Sequence, residues 1–288
     1  MSIKLSIIIP HKDIPDLLER CLQSIPQRED LEVIIVDDNS TSIQKENFPG
    51  IQRGNTKVFF SDKSLTAGGA RNKGLEYASG DWVMFADSDD FYHGNMYEDV
   101  KPFFDKEYDL VFFGMDSVYS DTLSPAKRGD GVVELLKSAS SGDEEAKCLI
   151  RYKFLYPSCK LIRKSFIDKF SIRFDEVPAS NDTMFGVKIA TKTDRIFYNS
   201  KIIYCLTHRT NSLVTSYKYE NLKSRLLVSF ELYDYLKQYN KEMYAQSSVA
   251  HWFQIRHASY TKFIIDFFIL LKRVSIVDIF RYVIKRRK

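Results

Sequence analysis

Residues 80–91 read GDWVMFADSDDF. Trp82-Val83-Met84-Phe85 is an apolar run of strand length, and it leads straight into Asp87-Ser88-Asp89-Asp90. Carboxylates crowded at the end of a buried strand repel one another and lose hydration, and both effects oppose ionisation. In open parallel sheets ligands bind at the carboxyl ends of the strands. Such a cluster is therefore informative if the rest of the chain builds a parallel sheet around it.

Working outward, the pattern is that of a sheet. LSIIIP at 5–10 and EVIIV at 32–36 are apolar, β-branched runs of the kind found in buried parallel strands. KVFFS at 57–61, residues 81–86 and DLVFF at 109–113 read as three more. Helical patterns lie between them: one opening at Pro15 with Leu18, Cys21, Leu22 and Ile25 on one face, then 67–79 and 95–105. Strand and helix in steady alternation predict an α/β fold, a mostly parallel sheet with helices on both faces. His11-Lys12-Asp13, Asp37-Asp38 and Asp87-Ser88-Asp89-Asp90 each fall just past a strand and converge on one rim. After Gly114 the alternation weakens. Residues 123–131 read as a loop, and 132–153 as helical with a break at 138–143. Residues 154–164 and 195–205 are strand-like, and 183–190, 222–239 and 251–271 helical.

The chain has 288 residues, 44% hydrophobic and 14% aromatic, enough for a sizeable core and unlike a disordered chain. Cys21, Cys148, Cys159 and Cys205 are scattered without a C-x-x-C pair. That pattern disfavours a thiolate metal centre and a disulfide framework, and it fits a reducing cytoplasm. The opening residues show no signal peptide, and no apolar stretch is long enough to span a membrane. The net charge of +4 is uneven: residues 262–288 carry eight basic and two acidic side chains, leaving the body mildly acidic.

Each polar cluster has two readings. Asp87-x-Asp89 is a solvated acidic turn, or a site for a hard divalent ion that relieves the repulsion and leaves positions open for a diphosphate. Asp37-Asp38-Asn39-Ser40 is a helix cap, or a set of partners for a base or ribose. In 66–74, TAGGARNKG, Gly68 and Gly69 permit close backbone approach and Arg71 carries a guanidinium suited to a phosphate or a base. The run lacks G-x-G-x-x-G spacing, and no P-loop exists anywhere.

Taken together, SIIIP (6–10), VIIVDDNS (33–40), AGGARNKG (67–74) and GDWVMFADSDDF (80–91) resemble the family 2 glycosyltransferases of A-type fold, in order and in spacing, over roughly the first 115 residues. The resemblance implies a nucleotide-sugar-binding half at 1–115, an acceptor-binding half of the same catalytic domain at 116–218, and a helical region at 219–288. It implies Pro10 and His11 beside the base, Asp38 and less directly Asp37 on uracil or ribose, and Arg71 bracketing the nucleotide. Asp87 is implied on ribose or metal, and Asp89 as the direct ligand of Mn²⁺ or Mg²⁺, with Asp90 a weaker ligand. FDEVPASNDTMF (174–185) resembles the acceptor-side segment in which the second acid of a pair is the catalytic base of inverting members. That residue is Asp182, with Asn181 where the family has Glu; the competing reading is a helix N-cap. In the segment His208-Arg209-Thr210-Asn211-Ser212, Arg209 is implied on the diphosphate and His208 on the metal. Lys160 resembles a lysine near the acceptor cleft.

The expected reaction is inverting transfer of one sugar from a nucleotide-diphosphate donor, UDP before dTDP or GDP, to a glycan acceptor that is lipid-linked, in lipopolysaccharide, O-antigen or capsule synthesis. Rivals are a sugar-phosphate nucleotidyltransferase, which needs a glycine-rich basic loop after the first strand, and an inactive sugar-nucleotide-binding module. Nucleic-acid binding is disfavoured by the acidic body. FIIDFFILL (263–271) and the basic apolar run after it predict amphipathic helices that lie on an anionic membrane, placing the protein at the cytoplasmic face. The alternative is packing on the body or on a second copy in a homodimer.

Overall fold

The computed structural model describes residues 2–209 and 217–285. Thr210, Asn211 and Ser212 of the basic, hydroxylated segment, and Arg286, Arg287 and Lys288 of the tail, lie outside the described residues.

The first half alternates as the apolar runs predict. β1 (Leu5–His11), α1 (Pro15–Gln23), β2 (Leu31–Asp37), β3 (Thr56–Phe60), α2 (Thr66–Tyr77) and β4 (Trp82–Phe85) follow in order. β1 and β2 are buried along their whole length. The two-residue β5 (Phe91–Tyr92), α3 (Met96–Val100) and β6 (Leu110–Tyr119) come next. In the second half, α4 (Val132–Ser140) and α5 (Glu144–Lys153) break where the sequence predicts. β7 (Lys160–Arg163), α6 (Lys164–Lys169), α7 (Thr183–Thr191) and β8 (Ile196–His208) complete the sheet. The C-terminal region holds α8 (Tyr219–Lys237), α9 (Ser248–Ile255), α10 (Tyr260–Leu271) and α11 (Ile276–Lys285).

One eight-stranded sheet runs in the order β3-β2-β1-β4-β7-β6-β8-β5. β3, β2, β1 and β4 are parallel, β7 is antiparallel to β4 and β6, and β8 is parallel to β6. The register pairs His11 with Asp37 and Asp37 with Phe60. β1, β2 and β3 therefore end level with one another, and their polar loops open on a single rim.

Two differences from the sequence reading have local causes. The expected helix over 251–271 is two helices, α9 and α10, separated at 256–259. Ser259 caps the second, its hydroxyl accepting from the Lys262 amide. Asp266, the lone charge of the apolar run, does not face outward. It is buried against α8, paired with Lys223 and accepting from the Tyr219 hydroxyl at 3.2 Å. The opposite side of α10 is left open, with Ile264, Ile265 and Phe268 exposed. Among the described residues no helix is long and apolar enough to cross a membrane.

Candidate active site

The site is assembled from loops that leave the strand ends. Asp37 and Asp38 leave β2 with opposite roles. Asp37 faces inward: its Oδ1 lies 2.8 Å from His11 Nδ1 and accepts from the Ser40 hydroxyl at 2.5 Å, while Oδ2 accepts from the Ser40 amide. The Ile14 amide donates to His11 Nε2, so Nδ1 carries the proton given to Asp37. Burial pushes the Asp37 carboxyl up, and the His11 and Ser40 hydrogen bonds outweigh it, holding the group below its ordinary range. His11 and Asp37 thus clamp the ends of β1 and β2. Pro10 is buried within β1. Asp38 instead shapes the entrance to α2, accepting from the Leu65 amide and from the Ser64 hydroxyl at 3.1 Å.

α2 is the hinge of the constellation. Its small residues allow contact on both sides: a Cβ on Gly74 would lie 2.4 Å from Ile8 Cγ2, and one on Gly68 would lie 2.0 Å from the Asp175 carbonyl oxygen. The close approach brings Arg71 and Asn72 onto the 174–181 segment. Asn72 exchanges two hydrogen bonds with the Phe174 backbone, at 2.8 and 3.0 Å. Arg71, 5% exposed, donates through Nη2 to Asp87 at 2.5 Å and through Nη1 to Asn181 at 2.9 Å. Its guanidinium therefore ties the acidic turn after β4 to the residue beside Asp182, the Arg71–Asn181 contact alone spanning 110 residues of sequence.

The acidic turn divides its three carboxylates. Asp90 is buried, accepting from the Thr207 amide at 2.6 Å and the Tyr204 hydroxyl at 3.0 Å. Burial, then the charges of Asp87 and Asp89, push its carboxyl well above the usual range. Asp87 keeps its side chain 40% exposed. Asp89 accepts from Arg209 Nε at 2.8 Å. Burial, then Asp87, push Asp89 up, and Arg209 pulls it back. The backbone of the turn is fixed from behind: the Asp89 carbonyl accepts from Arg20 at 2.6 Å and from the Thr207 hydroxyl at 2.7 Å. His208 is exposed with its ring 5.9 Å from that of Tyr119, and Asp87, Asp89 and His208 do not form a converged trio of ligand atoms.

Asp182 sits at the N-cap position of α7, but its side chain makes no capping hydrogen bond. The carboxylate is thus not consumed by the helix end. Burial raises it, and the Arg71 charge pulls the other way. In the same segment Phe174 and Phe185 stack at 3.9 Å, with Phe85 edge-on to both. Lys160, 1% exposed, donates to the Tyr156 carbonyl and lies 4.4 Å from the Phe154 ring. Burial brings its ammonium down to about 7, against the charges of Cys159 and Asp182. Thr66, Cys159 and Ser180, each directly before or close before a site residue, hold left-handed φ of 63°, 63° and 59°. Non-glycine residues are strained there, and such strain concentrates where a loop is held for function.

Of the expected residues, the structure brings Arg71, Asp87 and the Asn181-Asp182 pair together and sets Arg209 on Asp89. His11 and Asp37 are turned to each other, and His208 stands apart. Asn72, Arg20, Tyr204 and Thr207 were not singled out by sequence reasoning. Asn72 had a signal, lying beside Arg71 in the glycine-rich run. The others act from elements remote in sequence.

The family model for glycosyl transferase family 2 matches residues 6–170. The GalNAc(5)-diNAcBac-PP-undecaprenol beta-1,3-glucosyltransferase of Campylobacter jejuni is 37% identical over 92 residues, covering 30% of this chain and 30% of the relative. The poly(ribitol-phosphate) beta-N-acetylglucosaminyltransferase TarS of Staphylococcus aureus is 25% identical over 225 residues, covering 74% of this chain and 37% of the relative. The chain thus spans only about a third of the length of these curated relatives. Among solved structures, S. aureus TarS 1-349 in complex with UDP-GlcNAc superposes with a TM-score of 0.65 at 23% identity, covering 88% of this chain and 70% of that one. That likeness is one of fold, and at 88% of the chain it reaches beyond the residues 6–170 that the family model matches. The match from β1 to α6 takes in every strand end that carries an acidic residue of the donor side, and the chain belongs to glycosyltransferase family 2.

Proposed function

We propose that the chain transfers one sugar from a UDP-hexose or UDP-N-acetylhexosamine to a hydroxyl of a glycan acceptor, with inversion, in assembly of a surface polysaccharide. The observation that carries this reading is the Arg71 bridge, which puts a donor-side carboxylate and the segment of a free acceptor-side carboxylate on one rim. The named activities of the relatives, on a pyrophosphoryl-undecaprenol glycan and on poly(ribitol-phosphate), support an acceptor that is lipid-linked or polymeric.

The mechanism follows from the two carboxylates. Asp182 accepts the proton of the acceptor hydroxyl as that oxygen attacks the anomeric carbon. The bond from carbon to the diphosphate oxygen breaks on the opposite face, and the nucleotide leaves with both electrons. A single displacement inverts the centre. Arg209 moves from Asp89 to the diphosphate, where a guanidinium binds two oxygens at once. Asp87 and Asp89 offer the oxygen donors that Mn²⁺ or Mg²⁺ take; burial first and then the charge of Asp87 raise Asp89, and the second of these is what a cation would relieve. Such an ion, when bound, neutralises charge on the leaving diphosphate. Two carboxylates suffice for a metal that completes its shell with phosphate and water.

Calorimetry and thermal shift with UDP-, GDP- and dTDP-sugars, with and without Mn²⁺, test the donor. A UDP-sugar at a hundred times its Kd is expected to stabilise the fold by about 2.7 kcal/mol, with tighter binding when Mn²⁺ is present. No shift with any of them would remove the donor assignment.

The tail is proposed to lie on an anionic membrane at the cytoplasmic face. α10 exposes Ile264 and Phe268 (59% and 63%), α11 exposes Ile276 and Phe280 (57% and 63%), and exposed Lys272 lies between them. An apolar stripe edged by basic residues matches an interfacial helix. Phe268→Glu with Phe280→Glu is expected to abolish co-sedimentation with phosphatidylglycerol vesicles. Unchanged sedimentation, or a wild-type dimer that the double variant splits, would speak for the rival reading of a protein interface.

A further inference from the structure

Across the edge of the sheet, β5, β8 and β6 bring together three side chains that the transfer reaction does not use. β5 and β8 are antiparallel, with Phe91 opposite Cys205 and Tyr92 opposite Tyr204. The pairing continues one step further, the His93 amide donating to the Ile203 carbonyl at 2.9 Å. β6 and β8 are parallel, and Asp116 is level with Cys205. Side chains alternate along a strand. Phe91, His93, Cys205 and Asp116 therefore share one face. Tyr92 and Tyr204, their rings edge-on at 5.1 Å, share the other, the face whose hydroxyl holds Asp90. His93 Nε2 lies 3.0 Å from Asp116 Oδ1. One ligand atom from each of His93, Asp116 and Cys205 lies within 4.8 Å of the other two.

We propose that His93, Asp116 and Cys205 form a site for a thiophilic divalent cation, zinc by its chemistry, separate from the carboxylates of the donor site. An imidazole nitrogen, a carboxylate oxygen and a sulfur are the donor types that Zn²⁺ takes in four-coordinate sites. Mg²⁺ and Mn²⁺ prefer oxygen and compete poorly for sulfur, so the donor-site metal is not the occupant. Burial supplies the inner wall: Cys205 is 1% exposed, while the His93 and Asp116 side chains are 39% and 45% exposed. Their outer side is open to water, which completes the shell.

The protonation change balances. Burial, with Asp116 facing it, pushes the Cys205 thiol up to about 12. On binding, the S–H proton is released to solvent and a sulfur–zinc bond forms; no oxidation is involved. The consequence is mechanical. His93 is three residues past Asp90, and Cys205 is two before Thr207, whose amide and hydroxyl hold Asp90 and the Asp89 carbonyl. A cation at this place fastens the three strands behind the acidic turn.

The test uses the whole protein, stripped of metal by chelation and titrated with Co²⁺. One equivalent is expected to give a near-ultraviolet thiolate-to-cobalt band, bleached by Zn²⁺ and not by Mn²⁺ or Mg²⁺. Cys205→Ser is expected to abolish the band, and His93→Ala to weaken Co²⁺ binding by about tenfold or more. Should Cys205→Ser not fold, His93→Ala, altered on the open side, carries the test alone. Absence of the band in the folded wild-type protein, its survival in Cys205→Ser, bleaching by Mn²⁺, or unchanged affinity in His93→Ala each overturns the proposal. The readout is independent of sugar transfer, so a negative result leaves the proposed activity standing.

Discussion

Asp182→Asn is expected to lower the rate of sugar transfer by about 10²–10⁴-fold, the range a positioned general base contributes, while leaving donor affinity within about twofold. The structure makes this substitution a clean one. Asp182 occupies the N-cap position without using its side chain there, so the amide costs α7 no capping hydrogen bond. Linkage also favours the variant. Burial raises the folded carboxyl above its ordinary value, and the folded state therefore holds its proton to higher pH than the unfolded chain. Stability is fully present below the unfolded value and is lost as pH rises through the folded one. At neutral pH the ionised carboxylate is a burden on the fold, and Asn removes it. Loss of transfer with an equal or higher melting temperature would assign the effect to chemistry. The same shift moves the acid limb of the wild-type pH–rate profile upward from the ordinary carboxylate range, and the variant should lose that limb. Undiminished turnover in Asp182→Asn would remove the base assignment.

Much of this constellation is legible from the sequence, for a reason that also marks where reading stops. β1, β2 and β4 are buried on both faces, and such strands are continuous apolar runs that need no partner to be recognised. The polar residues immediately after them are then at the rim by position alone, which is how Asp38, Asp87 and Asp89 are found. What a rim residue faces is not local. Asp37 and Asp38 are adjacent and chemically identical, yet one is closed off by His11 and Ser40 and the other meets the entrance to α2. That division follows from the register of β1 against β2, which no single run encodes. β5, two residues long, and β7, antiparallel to both neighbours, are likewise consequences of pairing rather than of pattern. Arg20 lies on α1, 69 residues before the carbonyl it holds, and reads in sequence as one of many surface arginines. The break between α9 and α10 is a different kind of miss. Apolar periodicity runs on both sides of Ser259, and only the structure shows its hydroxyl capping the second helix.

Lys160→Met is expected to stabilise the protein at neutral pH while lowering transfer, a combination that only a group kept for function produces. The ammonium is buried to 1%, against two aromatic rings, with the Tyr156 carbonyl as its hydrogen-bond partner. Burial brings it down to about 7, from the 10.5 of a free lysine. The sign follows from proton counts. Between about 7 and 10.5 the unfolded chain holds the proton and the folded chain does not, so wild-type stability rises with pH across that window. Over the whole window the rise is on the order of 3–5 kcal/mol. Methionine fills a similar volume without charge and removes the slope. It leaves the Tyr156 carbonyl without its donor, which costs about 1–3 kcal/mol. The net gain at pH 7 is therefore about 1–3 kcal/mol, shrinking to nothing or reversing by pH 10. Urea unfolding of both proteins at a series of pH values reads the two slopes directly. Parallel slopes would mean that the amine ionises in the fold as it does in water, and that it is not a buried base held beside Asp182. If the slopes diverge as expected, the lysine is retained against its own cost to stability.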